Sequence, residues 1–374
     1  SGGTTNLEVD MSAIQARGPL HRMSLTTPTE FWNDSCSVEE LGYAIENGAT
    51  GGTSNPIIVG QVLKKSLDVW RPRVVELFAR NPEATEEFVA WKIIEEISVR
   101  ASTLLKPLFD SSKGKKGRLS IQTNPRYFRD AKTMVKQALH FHGLYPNNNI
   151  KLPVTKEGVQ AVEELTYRGV SVNGTVSFTV PQVLAVGAAV ERGLARREKE
   201  GKDISTMSPV CTMMIGRLDD WLKKVAEKKG VITDPGYLEW AGVAAMKKAY
   251  RIYRQRGYRT RLLNAAYRNH MHWSEFIGGE ISMTIPYDWQ VRFNASDVEV
   301  KSRIDDPVDP KIIAELERKF PEFRRAYDEN GLAPDEFESY GATRRTLRSF
   351  IAGYEDLLKM IRDIMIPDPD IKGE

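Results

Sequence analysis

A lysine in the middle of an apolar strand is where chemistry could begin in this sequence. In Asn149-Ile150-Lys151-Leu152-Pro153 the ammonium of Lys151 stands among core-forming residues, and a charged amine is rarely buried unless it is paired or has lost its proton. Burial lowers the pKa, and the neutral amine is what attack on a ketone carbonyl needs, so Lys151 is a candidate Schiff-base former. Two other readings stand beside it. The register could turn Lys151 outward to snorkel between helices, or it could form a buried ion pair with Asp34.

Other polar residues fall inside or just past apolar segments. The first such segment ends in Asp34, the second in Thr53-Ser54-Asn55-Pro56, and the third holds Ser120 and Gln122. The fifth carries Asn173 and Thr175, the sixth Ser208, and the seventh leads into Arg268. Each has an ordinary role open to it: Asp34 as a helix N-cap, Thr53 and Asn55 closing a turn, Asn173 and Thr175 bonding to backbone. If the segments are parallel strands of one barrel, all of these groups share the end where barrel enzymes keep their reactive groups. Arg217 and Arg268 could be surface charges, but two arginines at a barrel mouth also suit bidentate capture of a phosphate.

The elements that must position these groups alternate between short apolar or β-rich segments and longer ones of helical period, the pattern of a parallel sheet built by βαβ crossovers. Strands are predicted at 29–33, 49–54, 117–122, 149–154, 170–176, 204–211, 260–266 and 280–286. Helices are predicted at 37–47, 57–79, 84–108, 127–142, 155–167, 180–199, 216–228 and 236–255, the one at 84–108 being an extra helix before the third strand. Ser37 ahead of Glu39 and Glu40, Gly48 after the first helix, and Asp234-Pro235 supply start and stop signals. The fold class is α/β: a (β/α)₈ TIM barrel over 25–306 with a C-terminal helical segment, 307–374, packing on it and carrying helices at 310–328 and 342–364. Residues 1–24, opening Ser-Gly-Gly, read as a tag-like remnant and flexible lead, set aside from the fold.

Composition narrows the function classes. The chain has 374 residues, 41% of them hydrophobic, which is enough for one large core, and 53 Lys and Arg against 50 Asp and Glu ask for no nucleic acid. Cys36 and Cys211 are far apart and give neither a disulfide framework nor a thiolate zinc site, so a reducing cytoplasm is expected. No run is long and apolar enough to span a membrane, and no charged-then-apolar leader is visible. The sequons at Asn173 and Asn294 then read as incidental, and the charge runs 113–118 and 196–202 as solvated connections.

Several motifs in register resemble the transaldolase family: Phe31-Trp-Asn-Asp34, Gly51-Gly-Thr-Ser-Asn-Pro56, Asn149-Ile-Lys-Leu-Pro153, Val172-Asn-Gly-Thr175, and Ser208-Pro209 with Gly216-Arg217. The likeness runs in order from about residue 28 to 290. It implies a class I, cofactor-free and metal-free mechanism in which Lys151 condenses with C2 of a ketose. The position of Asp34 then takes the C4 hydroxyl proton, and a bound dihydroxyacetone enamine is passed to an aldose. It further implies that Asn55, Asn173 and Ser208, with Thr53 beside them, bind the three-carbon unit. Thr175 orients a catalytic water together with the residue at 122, and Arg217 and Arg268 hold phosphate. The implied partners are small sugar phosphates, with no nucleic acid and no membrane, and with a homodimer as the assembly to test.

Three departures from that family are visible. Gln122 replaces a glutamate and cannot relay a proton, which is similar to the fructose-6-phosphate aldolase branch that releases free dihydroxyacetone. The stretch from Ser208 to Arg217 is four residues longer than the usual Ser-Pro-aromatic-Val-Gly-Arg and has no aromatic residue before Ile215-Gly216. Ala266-Tyr267-Arg268 lacks a serine two residues before the arginine.

Three rival functions remain. A metal-dependent hydrolase would use His140-Phe-His142 and His270-Met-His272, but i and i+2 diverge on the predicted helices. A noncatalytic sugar-phosphate-binding barrel is allowed because fold does not imply activity. A nucleic-acid binder would lean on the basic stretch 251–261.

Overall fold

The alternating pattern closes on itself. The computed structural model describes residues 15–372, and its eight parallel strands form a closed barrel in sequence order, β1 pairing with β8. The strands are β1 Glu30–Asn33, β2 Gly51–Thr53, β3 Arg118–Gln122, β4 Asn148–Pro153, β5 Val172–Thr175, β6 Val210–Met214, β7 Arg261–Ala265 and β8 Ser282–Ile285. Helix α1, Pro19–Thr26, precedes β1, and α2, Val38–Glu46, follows it. After β2 come α3 Pro56–Lys65, α4 Leu67–Arg80 and α5 Glu86–Ser111. The next crossovers are α6 Ala131–His142, α7 Lys156–Tyr167, α8 Val180–Lys199 and α9 Ile215–Lys229. Then follow α10 Ala241–Arg256, the single turn α11 Met271–Ser274, α12 Tyr287–Asn294, α13 Pro310–Lys319, α14 Pro321–Tyr327 and the long α15 Gly341–Met365.

Local sequence sets most of these starts. Ser37, Thr85, Asp130, Thr155 and Thr179 each accept a backbone N–H in the first turn of the helix that follows, satisfying a donor that the helix itself leaves open. α15 lays a buried stripe of Phe350, Tyr354, Leu357 and Ile361 against α3, α4 and α5.

Four sequence expectations need correction. The sixth strand lies at 210–214 rather than 204–211, because Ser205, Thr206, Ser208 and Pro209 form a connection and the apolar run begins only at Val210. The helix expected at 57–79 breaks at Ser66 into α3 and α4. Asp234-Pro235 opens a 3-10 turn, Pro235–Trp240, and α10 begins after it. Of the residues set aside before the barrel, 1–14 lie outside the described residues, while α1 buries Leu20 and Met23.

Inside the barrel, side chains alternate strictly in and out. The floor is apolar: Trp32, Val210 and Leu263 form their own cluster, separate from the core beneath the helices. Gly51 makes room for it, since a Cβ there would lie 2.5 Å from the Trp32 ring. At the N-terminal rim the buried Arg118 guanidinium donates to the carbonyls of Gly114, Asn148 and Thr206 and stacks 5.1 Å from the Phe109 ring. Burial pulls its pKa down to about 10. Contacts at this face of a barrel serve stability, not catalysis. Arg118→Met, which strands three carbonyls, is expected to cost about 2–4 kcal/mol by urea unfolding; a shift under roughly 0.5 kcal/mol would show the carbonyls find other donors.

Candidate active site

Lys151 faces the lumen. It follows Asn149 by two residues on β4, and both point inward with Gln122 and Asn173 as the register neighbours of the lysine. The side chain is 5% exposed, and Nζ donates to the Ser54 carbonyl at 3.0 Å. Burial pulls its pKa down to about 8, with the charge of Asp34 opposing the fall. Burial outweighs the carbonyl and the nearby carboxylate, so a minor fraction of the amine is neutral near physiological pH.

Asp34, just past β1, is the counterpart. Its Oδ1 accepts the Thr53 hydroxyl at 2.7 Å and the Thr284 hydroxyl at 3.4 Å, and the two threonine oxygens lie 2.5 Å apart. Burial raises its pKa, while Lys151, the two threonines and Arg217 pull the other way. A carboxylate with a raised pKa, held next to a lysine with a depressed one, is the environment of a proton-transfer pair.

Beneath the amine runs a polar ladder. Asn173 Nδ2 donates to Ser120 Oγ at 3.2 Å, Ser120 Oγ donates to Asn149 Oδ1 at 2.5 Å, and Thr212 Oγ1 donates to Asn173 Oδ1 at 2.7 Å. Above it, Gln122 Oε1 and Thr175 Oγ1 are buried without a partner among the described residues. Two unsatisfied polar atoms near a buried amine mark where a water or a ligand hydroxyl would bind. Asn55 is the N-cap of α3, its Oδ1 accepting the Ile58 N–H at 3.0 Å, which leaves its amide nitrogen as the donor open to a ligand.

Ser208 is not in this assembly. It precedes β6 at the opposite rim, its N–H bonded to Ser171 Oγ and its hydroxyl to the Lys115 carbonyl. The lumen position belongs to Thr212, which the sequence reading missed. The signal was the spacing: Thr212 stands five residues before Arg217, the separation in Ser-Pro-aromatic-Val-Gly-Arg, so no four-residue insertion exists and Met214 occupies the aromatic's place. Thr284 on β8 was missed because a lone hydroxyl in a strand carries no signal of its own.

The two arginines meet at the mouth. Arg217 opens α9 over the Phe350 ring of α15, 5.4 Å away. Its pKa is lowered by burial and next by Arg268, against Asp220 and Asp34. Arg268 donates from Nε and Nη2 to Asp220, the latter at 2.8 Å. Their approach depends on Gly216, where a Cβ would lie 1.9 Å from the Ala266 carbonyl oxygen, and Ala266 itself adopts φ +67°. Backbone held in the left-handed region by a residue with a Cβ is strained, and such strain gathers at functional sites.

The paired histidines do not converge. His140 reaches Glu95 and His142 reaches Asn148 from α6, and no cluster of three or more metal-ligating side chains occurs among the described residues. No helix among them is long and apolar enough to cross a membrane.

Residues 31–360 match the family described as Transaldolase/Fructose-6-phosphate aldolase. The chain belongs to that family. Curated relatives in the transaldolase/fructose-6-phosphate aldolase family include a protein named transaldolase from Thiobacillus denitrificans, 34% identical over 56% of this chain and 58% of its own. A transaldolase from Acidothermus cellulolyticus is 31% identical over 64% and 65%, and a transaldolase 2 from Streptomyces avermitilis is 32% identical over 54% of each. The chain thus spans between about half and two thirds of the length of the relatives it matches.

Proposed function

We propose that the protein transfers a dihydroxyacetone unit from a fructose 6-phosphate-like ketose to an aldose through a Schiff base on Lys151. What carries the reading is the enclosed, part-neutral Lys151 amine beside Asp34. Lys151 adds to the C2 carbonyl, and loss of water gives an iminium, which serves as an electron sink. Asp34 takes the C4 hydroxyl proton, the C3–C4 bond breaks, and the electron pair is held as an enamine until an aldose carbonyl accepts it. Asn173 and the amide of Asn55 hold the hydroxyls of the three-carbon unit, with Thr53 keeping Asp34 in place. Thr175 and Gln122 hold the water exchanged in carbinolamine formation, and Arg217 and Arg268 take the phosphate. Incubation with dihydroxyacetone, reduction with borohydride and peptide mass analysis test it directly: a three-carbon adduct on Lys151 is the expected result, and an unmodified Lys151 at saturating ketone would reject the reading.

Gln122 favours a second outcome of the same chemistry, release of free dihydroxyacetone. Glutamine in place of the family's glutamate is similar to the fructose-6-phosphate aldolase branch, and an amide can hold a hydrolytic water by hydrogen bonds without itself carrying a proton. Gln122→Glu is expected to change the ratio of transfer to release by roughly tenfold in favour of transfer, measured with and without an aldose acceptor. An unchanged ratio would show that this position does not control the partition.

A further inference from the structure

Behind the arginines lies a buried acid–imidazole pair that the lumen chemistry does not use. Asp219 stands two residues after Arg217 on α9, His272 four residues after Arg268 on α11, and both side chains are 0% exposed. His272 Nε2 lies 2.8 Å from Asp219 Oδ2, Asp219 Oδ1 accepts the Gly242 N–H at 2.7 Å, and His272 Nδ1 faces the Arg268 N–H at 2.9 Å. A backbone N–H can only donate, so Nδ1 must carry the lone pair and Nε2 the proton that Asp219 receives. Asn264 Nδ2 donates to the His272 carbonyl at 2.7 Å and keeps the turn in place.

We infer that Asp219 and His272 are positioning residues for the anion pocket: Asp219 fixes the imidazole tautomer, and the imidazole in turn fixes the backbone of Arg268 at its distance from Arg217. The geometry makes the link direct. α9 carries Arg217, Asp219 and Asp220 together. Asp220 holds the Arg268 guanidinium from outside, while Asp219, through His272, holds the Arg268 backbone from inside. One helix therefore sets both arginines. Burial pushes the Asp219 pKa up, so the pair costs stability that two packed apolar side chains would not. A role in packing alone does not call for these groups; orientation of a donor does.

The inference rests on reading Arg217 and Arg268 as a phosphate pocket, and four variants separate the two ideas. Binding of inorganic phosphate is measured by calorimetry on the full chain, with thermal unfolding recorded for each protein. Arg268→Ala tests the pocket itself: if wild type and this variant bind phosphate equally, the phosphate reading falls and the positioning idea falls with it. His272→Asn places a carbonyl oxygen where Nδ1 was and keeps an acceptor for the Arg268 N–H. His272→Gln reaches toward Asp219 but leaves that N–H without its acceptor. Asp219→Asn keeps the shape and forces a donor against either Nε2–H or the Gly242 N–H, which favours the wrong tautomer.

All three changes lower the unfolding temperature. The expected result is that His272→Gln and Asp219→Asn weaken phosphate binding roughly tenfold, while His272→Asn stays within about threefold of wild type. Affinity that tracks unfolding temperature across the three, or that does not move in any of them, overturns the positioning role while leaving the phosphate pocket standing.

Discussion

Lys151→Met is expected to abolish the borohydride-trapped adduct and, at the same time, to make the protein harder to unfold at pH 7. The lysine's pKa falls from an ordinary 10.5 to about 8 on burial, equivalent to roughly 3 kcal/mol of preference for the uncharged form in the folded chain. Below pH 8 the amine is protonated in both states and the whole cost falls on the folded one. Between about 8 and 10.5 the unfolded chain binds more protons, so wild-type stability climbs with pH across that window. Methionine has nearly the same volume and no charge, but it leaves the Ser54 carbonyl without its donor and Asp34 without its positive neighbour. The net gain is expected to be about 1–2 kcal/mol at pH 7, shrinking toward zero by pH 10. Urea unfolding at the two pH values reads it. A gain of equal size at both would mean that the folded and unfolded chains release this proton over the same pH range, so that burial does not lower the lysine's pKa. Trapping by the wild-type chain should rise as the pH passes 8, since only the free amine attacks a carbonyl.

Asp34→Asn separates condensation from cleavage. An amide still accepts the Thr53 and Thr284 hydroxyls but cannot take a proton from a substrate hydroxyl, so turnover is expected to fall by about 10²–10⁴. Condensation should survive. The charge of Asp34 is what holds the Lys151 pKa up against burial, and its removal moves the onset of trapping to lower pH. With fructose 6-phosphate the variant should therefore accumulate the intact hexose on Lys151, where wild type yields the three-carbon fragment. Wild-type amounts of the fragment from Asp34→Asn would assign the proton transfer to another group.

Much of the barrel is legible because short β-rich segments alternate with helices of apolar period, and those after the first five strands open on a capping side chain. The site is legible where alternation does the work: Asn149 and Lys151, Ser120 and Gln122, Asn173 and Thr175 all lie two residues apart and share the lumen face. Legibility fails where a strand's limits depend on packing rather than on residue type. Ser205, Thr206 and Ser208 have the β-compatible, polar character of a strand end, and only the enclosure of Val210, Thr212 and Met214 by the neighbouring strands shows which segment is paired. The error carried Ser208 to the wrong end and hid Thr212. The split at Ser66 is of the same kind, because the apolar period continues through it and only the change of direction shows the break. Asp219 and His272 stand 53 residues apart, and nothing in a lone aspartate or a lone histidine announces that the closing barrel will bring them together.

The apolar cluster of Trp32, Val210 and Leu263 fills the lower part of the lumen and leaves its polar, reactive groups toward the arginine rim. If the proposed transfer runs in this lumen, donor fragment and acceptor share the rim beside the arginines and cannot occupy it at once. Traffic through such a vestibule is sequential: the first aldehyde departs before the second arrives. Initial-rate plots should accordingly give parallel lines, with each aldose obstructing the other's half-reaction at high concentration.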